Sequence, residues 1–89
     1  MNVNVWRRDE NWVGSEIEDS LVMVNLEIGT YVSLNSTASA VWQILEEPRT
    51  QEEIELALRS RFAVDEASCR ESLTKLLPQM RELSLARLG

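Results

Sequence analysis

Residues 19–35, DSLVMVNLEIGTYVSLN, constrain the fold more than any other stretch, because they read as a hairpin that runs straight into a helix. Residues 21–24 are apolar throughout, the pattern of a central strand covered on both faces. Residues 30–34 alternate, with Thr30, Val32 and Leu34 on one face and Tyr31 and Ser33 on the other. The connection between them ends in Gly29, suited to the positive φ that closes such a hairpin. Pairing these strands leaves one edge of the second open, a row of backbone donors and acceptors that another peptide can complete.

Asn35 then caps a helix predicted over residues 36–46, where Ala38, Val41, Trp42 and Leu45 form one apolar stripe and Pro48 ends the element. Thr50 and Glu53 have capping-box spacing and open a second helix with Ile54, Ala57, Leu58 and Phe62 on one face. Asp65 is a cap for the longest pattern, residues 66–83, with Cys69, Leu73, Leu76, Leu77, Met80 and Leu83 recurring at helical spacing. Pro78 lies inside it and removes one backbone bond, so a kink or a weak point is expected there. Upstream, Val3, Val5, Trp12 and Val13 are expected to supply a first strand, residues 7–11 a polar break and residues 16–19 an acidic turn. In the tail, Leu85 and Leu88 fold back. Strands followed by three helices give an α+β domain of winged helix-turn-helix type, a three-stranded antiparallel sheet followed by three helices, in a single domain over residues 1–89.

Composition closes off several kinds of function. A chain of 89 residues buries only about 60–65% of its unfolded surface, which leaves room for one core and little for a deep active site. It contains no histidine and one cysteine, Cys69, so His-dependent triads, an internal disulfide and a Cys/His metal cage are all unavailable. The carboxylates at 46–47, 52–53 and 65–66 fall at helix ends, where they complement the dipole or solvate the surface. Cys69 lies on an apolar stripe and reads as a small buried hydrophobe. The three glycines are scattered, so no phosphate loop exists, and no cofactor is implied. Nothing approaches a signal-peptide core or a membrane span, which makes a cytoplasmic protein without a membrane partner the expectation.

Three helices and a hairpin also describe a DNA-binding layout, yet the net charge is −6 and the candidate recognition helices interleave acids with bases. Arg70, Lys75 and Arg81 alternate with Glu71 and Glu82, so nucleic acid is not the expected partner. Peptide binding fits better: an open strand beside a long helix makes a groove, with Arg70 and Arg81 exposed at its side. Tyr31 reads as core or rim, and core is the plainer reading for at least one of Leu73 and Leu77.

The order of these features resembles the PqqD-like family: an apolar strand at 21–24, Gly29, the aromatic Tyr31, Leu34 and Asn35, Ala38, then Val41 and Trp42. A break with a Thr cap at 48–50, a final helix and a closing Leu85 complete the likeness over roughly residues 15–88. The chain departs from the pattern at Pro78 and at Ser84, which replaces the glycine usual before the closing leucine. The resemblance implies a RiPP recognition element, which binds the leader of a ribosomally made precursor peptide as an added strand, against the third helix. Carried onto this chain, the binding positions are Thr30, Tyr31, Val32 and Ser33 on the strand and Arg70, Leu73, Thr74, Leu77 and Arg81 on the helix. The likeness is greatest to the stand-alone leader-binding proteins of lasso-peptide pathways, which serve a separate leader peptidase. A PqqD-type chaperone for a radical-SAM enzyme and a small acidic winged-helix transcription or interaction module are the alternatives. The protein itself is expected to be non-catalytic, acting by tethering the precursor near a peptidase or other modifying enzyme. Val32→Pro is expected to remove a donor from the binding edge.

Overall fold

The computed structural model describes residues 4–18 and 20–89. Its elements are β1 (Val5–Arg8), β2 (Trp12–Ile17), β3 (Ser20–Asn25), β4 (Tyr31–Leu34), α1 (Ser36–Ile44), β5 (Arg49–Thr50), α2 (Gln51–Arg61), α3 (Glu66–Glu82) and β6 (Ala86–Leu88). The main sheet is the antiparallel meander β2-β3-β4, and a second small sheet has the order β5-β1-β6. α1 packs directly on β3 and β4, α3 on β6 of the small sheet, and α2 on β5, α1 and α3, and the α+β layout read from the sequence stands.

The β3–β4 hairpin is closed by local chemistry. The Asn25 side chain accepts from the Glu27 and Ile28 amides at 2.9 and 3.2 Å, while Gly29, at φ +73°, donates to the Asn25 carbonyl at 2.9 Å. These bonds explain how Asn25 is buried at no cost. The two-sided burial expected for residues 21–24 does not occur. Leu21 and Met23 enter the core, but Val24 is 39% exposed, because helices pack on one face only.

The N-terminal expectation also changes. Val5 and Trp12–Val13 do not form one strand: Val5 belongs to β1 in the small sheet and Trp12 opens β2 in the main one. Val3 and Asp19 lie outside the described residues. Arg7 and Arg8, read as part of a polar break, are strand residues, and the reversal is confined to a turn in which Asp9 accepts from the Asn11 amide at 2.9 Å. Glu16 and Ile17 extend β2 instead of turning, leaving the reversal to Glu18, at φ 58°. Gly14 lets β2 lie close over the core, since a Cβ there would meet Met23 Sδ at 3.0 Å and Leu21 Cδ1 at 3.2 Å.

Asn35, Thr50 and Asp65 all stand at the expected N-cap positions, but Asp65 makes no side-chain cap bond. Asn35 Oδ1 accepts from the Ala38 amide at 2.8 Å, and Thr50 and Glu53 form a reciprocal capping box. α1 ends at Ile44, two residues before the expected Glu46, because the chain must already be turning toward Pro48. α3 runs unbroken through Pro78 to Glu82. Thr74, whose carbonyl loses its partner there, and Pro78 both lie on the exposed side, where water can take the bond.

The end of α3 explains the glycine that the family pattern prefers at position 84. The Leu85 amide donates to the Met80 carbonyl at 2.8 Å and the Ser84 amide to the Arg81 carbonyl at 3.0 Å, the two bonds of a Schellman motif. The motif needs a left-handed residue, and Ser84 adopts φ 61°. The Trp12 indole donates to the Ser84 carbonyl at 2.8 Å and ties this turn to β2. Leu85 is fully buried, whereas Leu88 pairs opposite Trp6 and stays 42% exposed, so only the first of the two folds wholly into the core.

Candidate functional site

The backbone of β4 sets what its free edge can offer. Asn25 donates to the Thr30 carbonyl at 2.7 Å, which makes that a hydrogen-bonded pair. Bonded and non-bonded pairs alternate along an antiparallel ladder, so Met23↔Val32 and Leu21↔Leu34 are the next bonded pairs. The polar groups of Val32 and Leu34 are therefore used within the sheet. Those of Tyr31 and Ser33 point away from it. On the other side of β3, the Leu26 amide donates to the Asn11 carbonyl at 2.8 Å, which fixes the complementary phase along β2.

This phase corrects the expectation for Val32→Pro. Proline at position 32 would break the bond to Met23 and damage the sheet, whereas proline at 33 removes an outward donor and leaves the ladder intact.

Beside the β4 edge runs a groove made with α3. A depression of about 170 Å³ is lined by Ser33, Leu34, Ala38, Leu76, Met80 and Leu83. A second, of about 250 Å³, lies between Asn35 and Thr37 on one side and Ser72, Lys75, Leu76 and Gln79 on the other. Asn35, Leu76 and Gln79 line both, so the two form one trough, apolar at the Leu83 end and polar with a single cation, Lys75, at the other.

The residues expected to line the groove divide into those at the edge and those turned elsewhere. Tyr31 and Ser33 are exposed on β4 and Thr30 is exposed just before it; Tyr31 is 73% exposed on the outer sheet face, and Val32 is half-buried on the core side. On α3, Leu73 and Leu77 have 0% and 1% exposure and offer no surface to a peptide. Arg70 faces α2, where its Nε lies 3.5 Å from buried Glu55 and its Nη2 3.5 Å from Glu66. Thr74 donates to the Arg70 carbonyl at 2.8 Å, one turn along that side, and Arg81 follows at the same helical phase. The structure thus does not bring Arg70, Leu73, Thr74, Leu77 and Arg81 to the β4 trough. Ser72, Lys75, Leu76, Gln79 and Leu83 occupy it instead. The available signal was the second apolar row, Leu76 and Leu83 at i and i+7, running beside the tighter row of Leu73, Leu77 and Met80.

The rest of the chemistry is spare. Cys69 is buried, its Sγ donates to the Glu55 carbonyl at 3.7 Å, and burial pushes its thiol up from its ordinary range, which disfavours the thiolate. Among the described residues no group of three or more His, Cys, Asp or Glu is placed to hold a metal ion, and no helix is long and apolar enough to cross a membrane.

The family model for coenzyme PQQ synthesis protein D, PqqD, matches residues 20–86. Among solved structures, TbiB1 in complex with the TbiA(beta) leader peptide is 28% identical, with a TM-score of 0.79 over 91% of this chain and 94% of that one. A lasso peptide synthetase B1 complexed with its leader peptide shares the fold at 20% identity, with a TM-score of 0.76 over 92% of this chain and 96% of that one. Among curated proteins none matches the chain.

Proposed function

The chain belongs to the PqqD family, and we propose from that premise that it binds the leader segment of a ribosomally made precursor, of lasso-peptide type. The leader adds as a strand to β4, accepting from and donating to Tyr31 and Ser33, and its inward side chains enter the trough of Leu76, Gln79, Met80 and Leu83. The observation that carries this reading is the free β4 edge lying against a continuous trough, in a fold whose relative TbiB1 is a leader-peptide complex. The protein acts as one domain in the cytoplasm and delivers the leader to a peptidase or other modifying enzyme. It performs no covalent step, and its effect on the reaction is a raised local concentration of precursor at the partner.

Calorimetric titration with the leader of a precursor encoded beside this gene tests the reading. Saturable one-to-one binding by the parent, lost in a folded Ser33→Pro variant, is the expected result. A Ser33→Pro variant that binds like the parent contradicts strand addition to β4.

A further inference from the structure

A cleft of about 460 Å³, larger than either depression of the trough, lies elsewhere on the molecule. It opens beside the small sheet, between the polar ends of β1 and β6 and the end of α1, and is lined by Arg7, Arg8, Arg87, Trp12, Trp42 and Pro48 among others. A chain with nine Lys and Arg against fifteen Asp and Glu thus gathers three of its cations in one place.

Two features make this more than a solvated surface. Arg7 and Arg87 are directly opposite each other in the β1–β6 ladder, an arrangement of like charges that destabilises a sheet unless something neutralises it. Arg8 is held rigidly and half-buried: its guanidinium lies 4.4 Å from the Trp42 ring centroid and its Nε donates to the Trp42 carbonyl at 2.8 Å. Burial lowers its pKa, an effect that Glu46 opposes. Asp9, Glu10 and Glu46 also line the cleft, but among the described residues the ion pairs involve only Arg59 and Arg70. Arg7 donates from Nε to the Gly89 oxygen at 2.6 Å and Arg8 from Nε to the Trp42 carbonyl, so neither Arg8 nor Arg87 has a carboxylate partner among the described residues. Mixed charge over two indole rings suits a peptide carrying a carboxylate beside apolar side chains and disfavours a polyanion such as nucleic acid.

The cleft also adjoins the leader trough. Leu83 and Leu85 wall the trough, the intervening Ser84 carbonyl takes the indole proton of Trp12, and the Leu85 carbonyl accepts from Asp9 at 3.0 Å. Trp12 and Asp9 line the cleft, as does Arg87 two residues beyond Leu85. One turn of chain therefore separates the two depressions. We propose that the cleft binds a carboxylate-bearing segment of the same precursor, flanking its strand-bound part, so that the leader is read at two places.

This proposal rests on the leader-binding reading above, and the test separates them. Two peptides are titrated by calorimetry: the full leader, and a version trimmed to the part that adds to β4. The parent binds the full leader more tightly, and that advantage shrinks as salt rises. Exposed Arg87→Glu weakens the full leader by about fivefold to tenfold and leaves the trimmed peptide unchanged; Arg8→Gln gives the same pattern. Equal affinity of the parent for both peptides, equal loss for both in Arg87→Glu, or a precursor without a carboxylate outside the strand-bound part overturns the proposal. Loss of both peptides in Ser33→Pro, with Arg87→Glu indistinguishable from the parent, leaves leader binding standing and removes the cleft. Failure of the folded parent to bind either peptide removes both.

Discussion

The two edges of the main sheet are treated in opposite ways. β2 ends in Glu16 and Ile17, with Glu16 on the core-facing side of the strand yet exposed, and the chain then bends through a left-handed Glu18. Charges placed inward on an edge strand, and a twisted end, are devices that stop another strand from docking. β4 has neither: residues 30–34 carry no charge, and the edge lies along a trough instead of open solvent. This asymmetry, more than an exposed strand by itself, is what supports the proposal that the leader adds to β4.

The largest effect should come from proline placed at matching positions on the two edges. Ser33→Pro removes an outward donor of β4 and weakens leader binding at least about tenfold, whereas Glu16→Pro does the same to β2 and leaves calorimetric affinity at the parent's value. Removing one guard sharpens the contrast. Glu16→Thr, which removes the inward charge, should raise self-association in analytical ultracentrifugation, and unchanged sedimentation would mean that β2 is protected by something else. Next, Leu83→Ala opens the apolar end of the trough and should weaken leader binding by about 1 kcal/mol without altering the fold.

Arg70→Ala divides binding from stability. It leaves the Glu55 carboxylate, 10% exposed, without its cation, and should lower the free energy of unfolding by about 1–2 kcal/mol in urea titrations, with leader affinity unchanged. The smallest change is Ser84→Gly, which relieves the left-handed strain at the end of α3 and should stabilise the protein by about 0.5–1 kcal/mol in the same titrations.

What was legible in the sequence is what local chemistry decides. Asn35, Thr50 and the turn from Asn25 to Gly29 each satisfy backbone groups within a few residues, so their types reveal their roles. The small sheet was not legible. β5 and β6 have two and three residues and pair with β1 across most of the chain, so neither carries a period of its own. The rotation of α3 was hidden for a related reason. Leu73, Leu76 and Leu77 are alike in sequence, and only the packing of α2 and β4 decides that Leu73 and Leu77 are enclosed while Leu76 faces the trough. Arg70 reads as a ligand contact until Glu55 is found beneath it.

Amide hydrogen exchange on the leader-bound domain tests the central claim most directly, because the phase of β4 assigns each amide a partner in advance. The amides of Tyr31 and Ser33 should gain protection when leader binds, while those of Val32 and Leu34, already bonded to β3, and those of Gly14 and Glu16 on β2 should not change. Protection appearing on β2, or none at Tyr31 and Ser33 under saturating leader, would contradict strand addition to β4.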